Sequence, residues 1–328
     1  MKSPESKQSS VLITGSGGYI GRLLVDTLAK ERGWLTNIVA ADLREVPPEE
    51  RKQEVTYVTA DVRSSKMLDI FREFRVGTVV HLASIVTPEK GLSREFLYSV
   101  DVLGTENVLN ACIETGVQKV IITSSGAAYG YYPDNPEWLT EADTLRGNPE
   151  FAYSDHKRLV EEMLARYRKE HPKLKQLIFR PGTILGATTD NQITALFQKP
   201  YILGLKGAAT PFVFIWDQDV VNCIVKGIRG DIAGIFNLAG DGVLTLKEIA
   251  SLLGKPYLSL PAWLLKAALW ALSRLKLSRY GPEQVDFIRY RPVLSNHRLK
   301  DEFGYIPKKT TRQVFEYYIN KVAGDKKI

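Results

Sequence analysis

The fold is decided by the stretch Val11-Leu12-Ile13-Thr14-Gly15-Ser16-Gly17-Gly18-Tyr19-Ile20-Gly21. Its apolar run at 11–14 predicts a strand, its glycines predict a tight turn, and the amphipathic segment 19–30 predicts a helix. Backbone amides and the helix dipole at such a turn bind a pyrophosphate, and side chains in place of the glycines would block it. We therefore predict a dinucleotide site at this turn. Its predicted binding residues are Gly15, Gly18, Tyr19, Ile20 and Gly21.

The same alternation of strand and helix continues along the chain. Long helices are predicted at 93–115 and 153–170. Alternating strands and helices imply a parallel sheet with helices on both faces. The predicted fold class is therefore α/β, a doubly wound parallel (Rossmann) sheet with a smaller, discontinuous C-terminal substrate domain. Further strands are predicted at 37–41, 55–59, 78–82, 119–123 and 176–179.

The domain boundaries follow from the place where this alternation stops, after Arg180. Beyond it, glycines and prolines interrupt the pattern, while the runs 212–216 and 235–238 are predicted as strands that return to the sheet. The substrate domain is therefore expected to be assembled from separate pieces. The predicted organisation is a disordered lead at 1–10, a dinucleotide-binding domain at 11–182 with return elements at about 211–239, and a substrate domain at 183–210 and 240–328.

An apolar segment at 260–278 predicts a helix without a strand partner. It carries tryptophans and leucines together with Lys266, Arg274, Lys276 and Arg279, a combination that also suits a membrane surface. The segment is too short and too charged to span a bilayer. We favour a helix that packs over a substrate pocket, and membrane attachment is not expected.

Composition points to an ordinary folded enzyme. Hydrophobic residues make up 44% and charged residues 25% of the 328 residues, which disfavours disorder and a membrane-spanning bundle. The net charge of +7 is spread along the chain without a basic stripe, so nucleic-acid binding is not expected. Cys112 and Cys223 each lie in a predicted apolar helix, which argues against a disulfide framework and a metal site. The polar N-terminus predicts a cytoplasmic protein.

Asp42 follows the second predicted strand, about twenty residues beyond the glycine turn. A carboxylate at this place accepts hydrogen bonds from the adenosine ribose hydroxyls and repels a 2′-phosphate, which favours NAD as the cofactor. Arg44 keeps NADP as the alternative, because a guanidinium can pair with that phosphate. Both residues are therefore predicted cofactor-binding residues.

Tyr153 and Lys157 are four residues apart on a predicted helix and so project from the same face. A phenol with a pKa near ~10 is a poor base at neutral pH, whereas a neighbouring ammonium stabilises its phenolate. Lys157 is also suited to hold the nicotinamide ribose. Ser125 follows the strand 119–123 at the carboxyl edge of the sheet, where its hydroxyl can bond a reacting oxygen. We predict Ser125, Tyr153 and Lys157 as the catalytic set.

Taken together, these motifs resemble the extended short-chain dehydrogenase/reductase family, which includes nucleotide-sugar epimerases, dehydratases and 3β-hydroxysteroid-type dehydrogenases. The resemblance implies the same catalytic set and a homodimer formed through helices 93–115 and 153–170. It also implies adenine contacts at Asp61 and Val62, phosphate and ribose contacts at Leu82, Ala83 and Ser84, and nicotinamide packing at Pro181. The matching landmarks are Thr14 to Gly21, Asp61-Val62, His81-Leu82-Ala83, Thr123-Ser124-Ser125, Tyr129-Gly130, Tyr153 to Lys157 and Arg180-Pro181-Gly182.

Three departures from the family pattern bear on the reaction. Asp101 stands where the family usually has an asparagine that supports the catalytic lysine. Gly126 and Ala127 stand where dehydratases place an acidic pair, which disfavours elimination of water. Arg291 matches one arginine of the usual diphosphate clamp. The other arginine commonly precedes the strand that here reads 211–216, where the local sequence is apolar instead.

Two enzyme hypotheses and one binding hypothesis remain. The first is NAD(P)-dependent interconversion of a secondary alcohol and a ketone, on a small or apolar substrate. The second is epimerisation of a UDP-hexose, in which tightly bound NAD is reduced and reoxidised. The third is a cofactor-binding protein without turnover, which the intact set of hydroxyl, phenol and ammonium disfavours.

Overall fold

The computed structural model describes residues 9–31, 33–89, 91–275 and 281–325. Strands and helices alternate along most of this part of the chain. The strands are β1 Ser9–Thr14, β2 Leu35–Asp42, β3 Val55–Thr59, β4 Val76–His81, β5 Lys119–Thr123, β6 Lys175–Pro181, β7 Thr183–Leu185, β8 Ile202–Leu205, β9 Pro211–Phe212, β10 Phe214–Trp216, β11 Gly234–Leu238, β12 Leu244–Thr245 and β13 Tyr257–Leu260.

The helices range from single turns to the 19 residues of α5. The α-helices are α1 Tyr19–Lys30, α2 Lys66–Glu73, α3 Arg94–Tyr98, α4 Gly104–Thr115, α5 Ala152–Glu170, α6 Gln192–Phe197, α7 Asp217–Arg229, α8 Leu246–Leu252, α9 Ala262–Arg274, α10 Gln284–Arg289, α11 His297–Asp301 and α12 Thr311–Asp325. A π-helix, Ser99–Leu103, joins α3 to α4. Two short 3₁₀ helices lie at Pro48–Glu50 and Gly126–Tyr129.

Seven strands form the main sheet in the order β11-β6-β5-β4-β1-β2-β3. The pairs β1–β2, β1–β4, β2–β3, β4–β5 and β5–β6 are parallel. The order reverses between β1 and β4, as in a doubly wound sheet. The predicted fold class is therefore confirmed. The predicted strands 55–59 and 119–123 match β3 and β5 residue for residue, and 235–238 joins the sheet as part of β11.

The chain divides into two compact units. The first comprises the chain up to Ser124 with His156–Arg180 and Gln218–Ile235; the second comprises Ser125–Asp155, Pro181–Asp217 and the chain from Phe236. Residues 125–155 thus belong to the second unit, although they fall inside the predicted domain 11–182. Of the expected disordered lead, residues 1–8 lie outside the described residues, while Ser9 and Ser10 are part of β1, which corrects that boundary.

The first unit has a core of aliphatic side chains from the central strands and from α2, α4 and α5. Leu12, Val79 and Val120 are completely buried at its centre. A buried ion pair also lies in this unit, with Arg180 Nη2 placed 2.6 Å from Glu161 Oε2. Arg180 therefore supports the fold. Cys112 in α4 and Cys223 in α7 are buried free thiols, as predicted.

The second unit has an aromatic core. Phe214 stacks between Phe212 and Phe315, with ring centroids 5.7 and 5.6 Å apart, and Phe197 meets these rings edge-on. The prediction that 212–216 forms one strand returning to the main sheet is wrong. Phe212 pairs with Leu244, whereas Phe214 pairs with Thr183, so the run divides at Val213 into β9 and β10.

The predicted helix at 260–278 is observed as α9, Ala262–Arg274. No residue of α9 is buried, which differs from the predicted packing role. The predicted helical residues 276–278, and Lys276 and Arg279, lie outside the described residues. In the described part of the chain, no helix has the length and hydropathy needed to cross a membrane.

Candidate functional site

The glycine turn between β1 and α1 has no room for side chains. A Cβ atom on Gly21 would lie 2.3 Å from the carbonyl oxygen of Gly15, and one on Gly15 would lie 2.6 Å from the amide nitrogen of Ala83. Gly15 also has a φ of +70°, in the left-handed region that favours glycine. Tyr19 and Ile20 begin α1 immediately after Gly18, which caps the helix without a side chain. The turn therefore presents backbone at a helix N-terminus, the arrangement that binds a pyrophosphate.

Asp42 lies against this turn from the end of β2. Its Oδ2 accepts a hydrogen bond from the Gly17 amide at 2.9 Å, and its Oδ1 accepts one from the Arg44 amide at 3.0 Å. The Arg44 side chain is 75% exposed and donates to the Gly17 carbonyl at 3.3 Å. A carboxylate and a guanidinium thus flank the same turn, with the carboxylate fixed and the guanidinium open to solvent.

The loop after β3 brings Asp61 and Val62 to the start of α4. Asp61 forms an ion pair with Arg63 at 2.6 Å, and the hydrogen bond from Arg63 lowers the pKa of Asp61. Val62 is buried against Gly104, where a Cβ atom would lie only 2.7 Å from its Cγ2. Asn107 donates to the Val62 carbonyl at 2.7 Å and holds the loop in place.

Beyond β4, Leu82, Ala83 and Ser84 run alongside the glycine turn and then reach a buried acid. The Leu82 amide donates to the Thr14 carbonyl at 3.0 Å. Ser84 Oγ donates to Asp101 Oδ1 at 3.0 Å, and the Ile85 amide donates to the same oxygen at 2.9 Å. Asp101 lies on the π-helix Ser99–Leu103, which interrupts the predicted helix 93–115.

Asp101 also faces a buried histidine. His156 Nδ1 lies 3.1 Å from Asp101 Oδ2, and the ring of Tyr98 meets the imidazole edge-on at 5.7 Å. His156 Nε2 is buried without a hydrogen-bond partner. Sequence reasoning identified Asp101 as a departure from the family pattern but missed His156, which lies directly before Lys157.

Lys157 is buried and is held by the end of β5. Its Nζ donates to the Thr123 carbonyl oxygen at 3.0 Å. Burial lowers the pKa of Lys157, while the charges of Asp101 and Glu161 raise it, and the net direction is downward. Asp101 therefore favours the ammonium form, as expected, but does not outweigh the effect of burial.

His81, at the end of β4, lies in the same unit. Burial, helped by the positive charge of Lys157, lowers the pKa of His81 to about 3. The neutral ring bonds Thr14 Oγ1 at 2.7 Å and Thr105 Oγ1 at 3.0 Å, so it links β1 to α4. His81 is thus a neutral structural group behind the glycine turn.

Ser125 and Tyr153 lie in the second unit, where hydrogen bonds connect the two segments that carry them. Ser125 Oγ accepts from the Ala127 amide at 3.1 Å and caps the 3₁₀ helix Gly126–Tyr129. Ser154, the neighbour of Tyr153 on α5, donates to the Ala127 carbonyl at 2.7 Å. The first turn of α5 is thereby tied to the Ser125 loop. Lys157 follows Tyr153 by one turn of this same helix.

Tyr153 has aromatic neighbours that sequence reasoning missed. Its ring centroid lies 6.1 Å from that of Phe151, which in turn lies 5.0 Å from Phe287 on α10. Tyr131 completes this aromatic cluster, 5.3 Å from Phe287. Burial raises the pKa of Tyr131, so its phenol stays neutral. The cluster forms from segments more than a hundred residues apart, and no local pattern predicts it.

Arg291 lies at the edge of the second unit's aromatic core. Its guanidinium carbon is 4.0 Å from the centroid of Phe212, and its Nη2 donates to Thr183 Oγ1 at 3.2 Å. Burial lowers the pKa of Arg291. Pro181, predicted beside the nicotinamide, is buried at the end of β6. In the parts of the chain that the structure describes, no group of three metal-ligating side chains occurs.

Comparison with known families gives a match over residues 11–224. The matching model describes the NAD dependent epimerase/dehydratase family. It covers the glycine turn, Asp42, Ser125, Tyr153 and Lys157, and it ends in α7.

Individual relatives are more distant. An uncharacterized protein of Mycobacterium tuberculosis is 24% identical over 94% of this chain and 82% of its own length. A UDP-glucose 4-epimerase of Azospirillum brasilense is 31% identical over 54% of this chain and 49% of its own length. Among solved structures, the UDP-glucose 4-epimerase of Thermus thermophilus in complex with NAD has a TM-score of 0.71 at 24% identity, with 96% of this chain and 99% of that chain covered. This likeness shows a shared fold.

Proposed function

Because the chain belongs to the NAD dependent epimerase/dehydratase family, we propose that it uses NAD to interconvert a secondary alcohol and a ketone. The observation that carries the proposal is the position of Lys157, which is buried, bonded to the Thr123 carbonyl and one helical turn beyond Tyr153. An ammonium held in this way favours the phenolate of a nearby tyrosine. A lysine that belonged only to a solvated helix face would instead be exposed.

The residues of the first unit fit NAD. Gly15 and Gly21 leave backbone, without Cβ atoms, at the start of α1, where a pyrophosphate binds. The Asp42 carboxylate beside Gly17 suits the two adenosine ribose hydroxyls and would repel a 2′-phosphate. Because of that repulsion we expect NADP to bind more weakly than NAD. The exposed Arg44 guanidinium beside it suits the 2′-phosphate of NADP and reduces this preference. Family resemblance assigns further cofactor contacts to Asp61, Val62, Leu82, Ala83, Ser84 and Pro181.

Three side chains have separate roles in the proposed transfer of one proton. Bound NAD supplies the hydride acceptor for the carbon that carries the hydroxyl. Tyr153, as phenolate, accepts the proton of that hydroxyl, and Ser125 donates a hydrogen bond to the reacting oxygen. Lys157 stabilises the phenolate by its charge and holds the nicotinamide ribose. The carbon loses a hydride and the oxygen loses a proton, so the alcohol becomes a ketone.

The aromatic cluster favours an apolar substrate. Phe151 lies beside the ring of Tyr153, and Tyr131 and Phe287 pack on Phe151. Only Arg291 among the expected clamp residues is present. A nucleotide sugar brings a diphosphate that requires charged partners. We therefore propose a secondary alcohol on a largely apolar skeleton as the substrate class. Gly126 and Ala127 offer no carboxylate for elimination of water.

Epimerisation of a UDP-hexose is the second candidate, and the similarity to UDP-glucose 4-epimerases supports it. The two reactions differ in what happens to the cofactor. Oxidation of an alcohol leaves NADH in solution, whereas epimerisation returns the hydride to the substrate and leaves no net NADH.

The test is a substrate screen on the full chain. NAD and NADP binding are measured first, and secondary alcohols of increasing apolar size are then compared with UDP-glucose and UDP-galactose. Stoichiometric NADH with an apolar alcohol is the expected result. Inversion of a UDP-sugar without NADH would replace the proposal by the second candidate, and NAD binding without either reaction across the panel would favour a protein without turnover.

A further inference from the structure

One face of α9 is apolar and exposed along its whole length. Nine of the residues from Ala262 to Leu275 are exposed, and eight of these nine are apolar. Trp263 is 71% exposed, Trp270 is 56% exposed and Leu275 is 67% exposed. Single exposed hydrophobic side chains are common on proteins, but a continuous apolar face with two tryptophans marks an interaction surface.

The opposite face of α9 is attached to its own unit. Lys266 on this face forms an ion pair with Asp286 of α10 at 2.7 Å. The half-buried positions recur every three or four residues, as on one side of a helix. They are Ala262, the neighbouring pair Leu265 and Lys266, Leu269 and Ser273. Packing therefore fixes the helix with its apolar side outward, and the exposure is a property of the fold.

The charge on the exposed face is positive. Arg274 lies on the exposed face, with its guanidinium carbon 5.7 Å from the centroid of Trp270. The sequence from 262 to 280 contains four basic residues and no acidic residue. Aromatic side chains beside cations are typical of helices that lie at the boundary between lipid headgroups and acyl chains.

From this face we propose that α9 binds a lipid surface with anionic headgroups and lies parallel to it. The 13 residues of the helix reach only about 20 Å at 1.5 Å per residue, which is less than a bilayer core of about 30 Å. Trp263, Trp270 and the leucines enter the headgroup boundary, while Arg274 pairs with lipid phosphates. This inference does not rest on the proposed hydride chemistry.

A second copy of the chain fits the face less well. In a two-fold symmetric interface each patch meets itself, so Arg274 of both copies would enter one apolar contact. The segment 262–280 supplies no acid to compensate these charges. An anionic surface removes this repulsion and adds a favourable interaction for each cation.

The test is flotation of the full chain with vesicles of two compositions, phosphatidylcholine alone and phosphatidylcholine mixed with phosphatidylglycerol. The binding variant is Trp263→Ser with Trp270→Ser, both at exposed positions, so the fold should persist; a thermal melt checks this. The matched control is Trp138→Ser, which removes an exposed tryptophan elsewhere in the second unit.

We expect the wild-type chain and the Trp138 variant to float with the mixed vesicles, more weakly with phosphatidylcholine alone, and less as salt is added. The double variant should bind the mixed vesicles at least about tenfold more weakly. For the wild-type chain, lipids that carry a bromine on the acyl chain should quench tryptophan fluorescence.

Absence of wild-type flotation with either vesicle would overturn the proposal. So would equal flotation of the double variant, because binding would then come from another surface. A third outcome would assign the face to a second copy instead. In that case the wild-type chain would not bind vesicles and would sediment as a dimer, whereas the double variant would sediment as a monomer.

Discussion

His156 Nδ1 lies 3.1 Å from a carboxylate oxygen of Asp101, 55 residues earlier in the chain, with only 1% and 3% of the two side chains exposed. Ser84 and the Ile85 amide bond the other carboxylate oxygen. A buried carboxylate with three partners is fixed in position, and its charge reaches Lys157, the next residue after His156. Asp101 thereby raises the pKa of the lysine that is proposed to support the proton transfer.

Asp101→Asn should move the alkaline limb of activity to lower pH. The negative charge of Asp101 raises the pKa of Lys157 against the lowering effect of burial. Without that charge the ammonium loses its proton at a lower pH, and the phenolate of Tyr153 loses its support. The measurement is kcat/KM against pH, with Asp69→Asn at an exposed position of α2 as the matched control. A profile that coincides with the wild type would show that Asp101 has no electrostatic role.

The sequence predicts local structure well where local features decide it. β3 and β5 are short runs rich in β-branched and aromatic residues, and α1 begins directly after the glycines, so their bounds follow from the residues themselves. The run 212–216 misleads because it is apolar throughout. Its burial comes from the aromatic core of the second unit, and its pairing partners Leu244 and Thr183 lie in different strands.

The candidate site could be predicted as a set of residue types but not as contacts. Spacing alone relates Tyr153 to Lys157, and the position at the end of the second strand identifies Asp42. No spacing rule connects Asp101 with His156, or Phe151 with Phe287, because these contacts depend on how distant segments fold together. The family resemblance is confirmed, whereas the roles of Ser125, Tyr153 and Lys157 stay predictions.

Tyr153→Phe should retain NAD binding and lose turnover. The substitution removes only the phenolic oxygen, which is proposed to accept the substrate proton, a contribution on the order of 10²–10⁴-fold in rate. NAD affinity is measured by calorimetry and kcat by NADH formation. Tyr201→Phe serves as control, since Tyr201 is exposed and lies outside the candidate site. Turnover near the wild-type rate would remove Tyr153 from the mechanism.

Lys157→Ala should impair both catalysis and cofactor binding. The same ammonium is proposed to stabilise the phenolate and to hold the nicotinamide ribose, so kcat should fall by on the order of 10²–10⁴-fold and the Kd for NAD should rise by about tenfold. Lys169→Ala, at an exposed position near the end of α5, is the control. If the Kd for NAD did not change, the ribose role would have to be abandoned.

Gly21→Ala should damage the cofactor turn, whereas Gly33→Ala should be nearly neutral. The new methyl group at position 21 would lie 2.3 Å from the Gly15 carbonyl oxygen, while at Gly33 nothing lies within 4 Å. Overpacking of this kind costs about 1–3 kcal/mol of unfolding free energy. Urea unfolding and NAD titration measure the two effects. Equal stability of both variants would contradict the close approach at the turn.

His81 should make the fold sensitive to mild acid. Its pKa is lowered from 6.5 to about 3. Below pH 6.5 the unfolded chain therefore binds a proton that the folded chain does not. Above pH 6.5 this group does not affect the free energy of unfolding. As the pH falls from 6.5 toward 3, that free energy decreases, by about 2 kcal/mol at about pH 5.

The check is the urea midpoint of wild type and His81→Gln between about pH 7 and about pH 5. The variant should lose less stability over this interval than the wild type. His297→Gln changes an exposed ring and is the control. If the wild type and the His81 variant respond equally to acid, His81 is not the buried neutral group described above.

The hydrogen bond from the Gly17 amide to Asp42 has a consequence for redesign of coenzyme choice. The carboxylate that would discriminate against a 2′-phosphate also closes the loop that is proposed to hold the dinucleotide. An engineer who replaces Asp42 with alanine to admit NADP would release the loop together with the repulsion. Asparagine keeps an acceptor for the Gly17 amide while it removes the charge, so it is the better starting point, with the nearby Arg44 ready to meet the added phosphate.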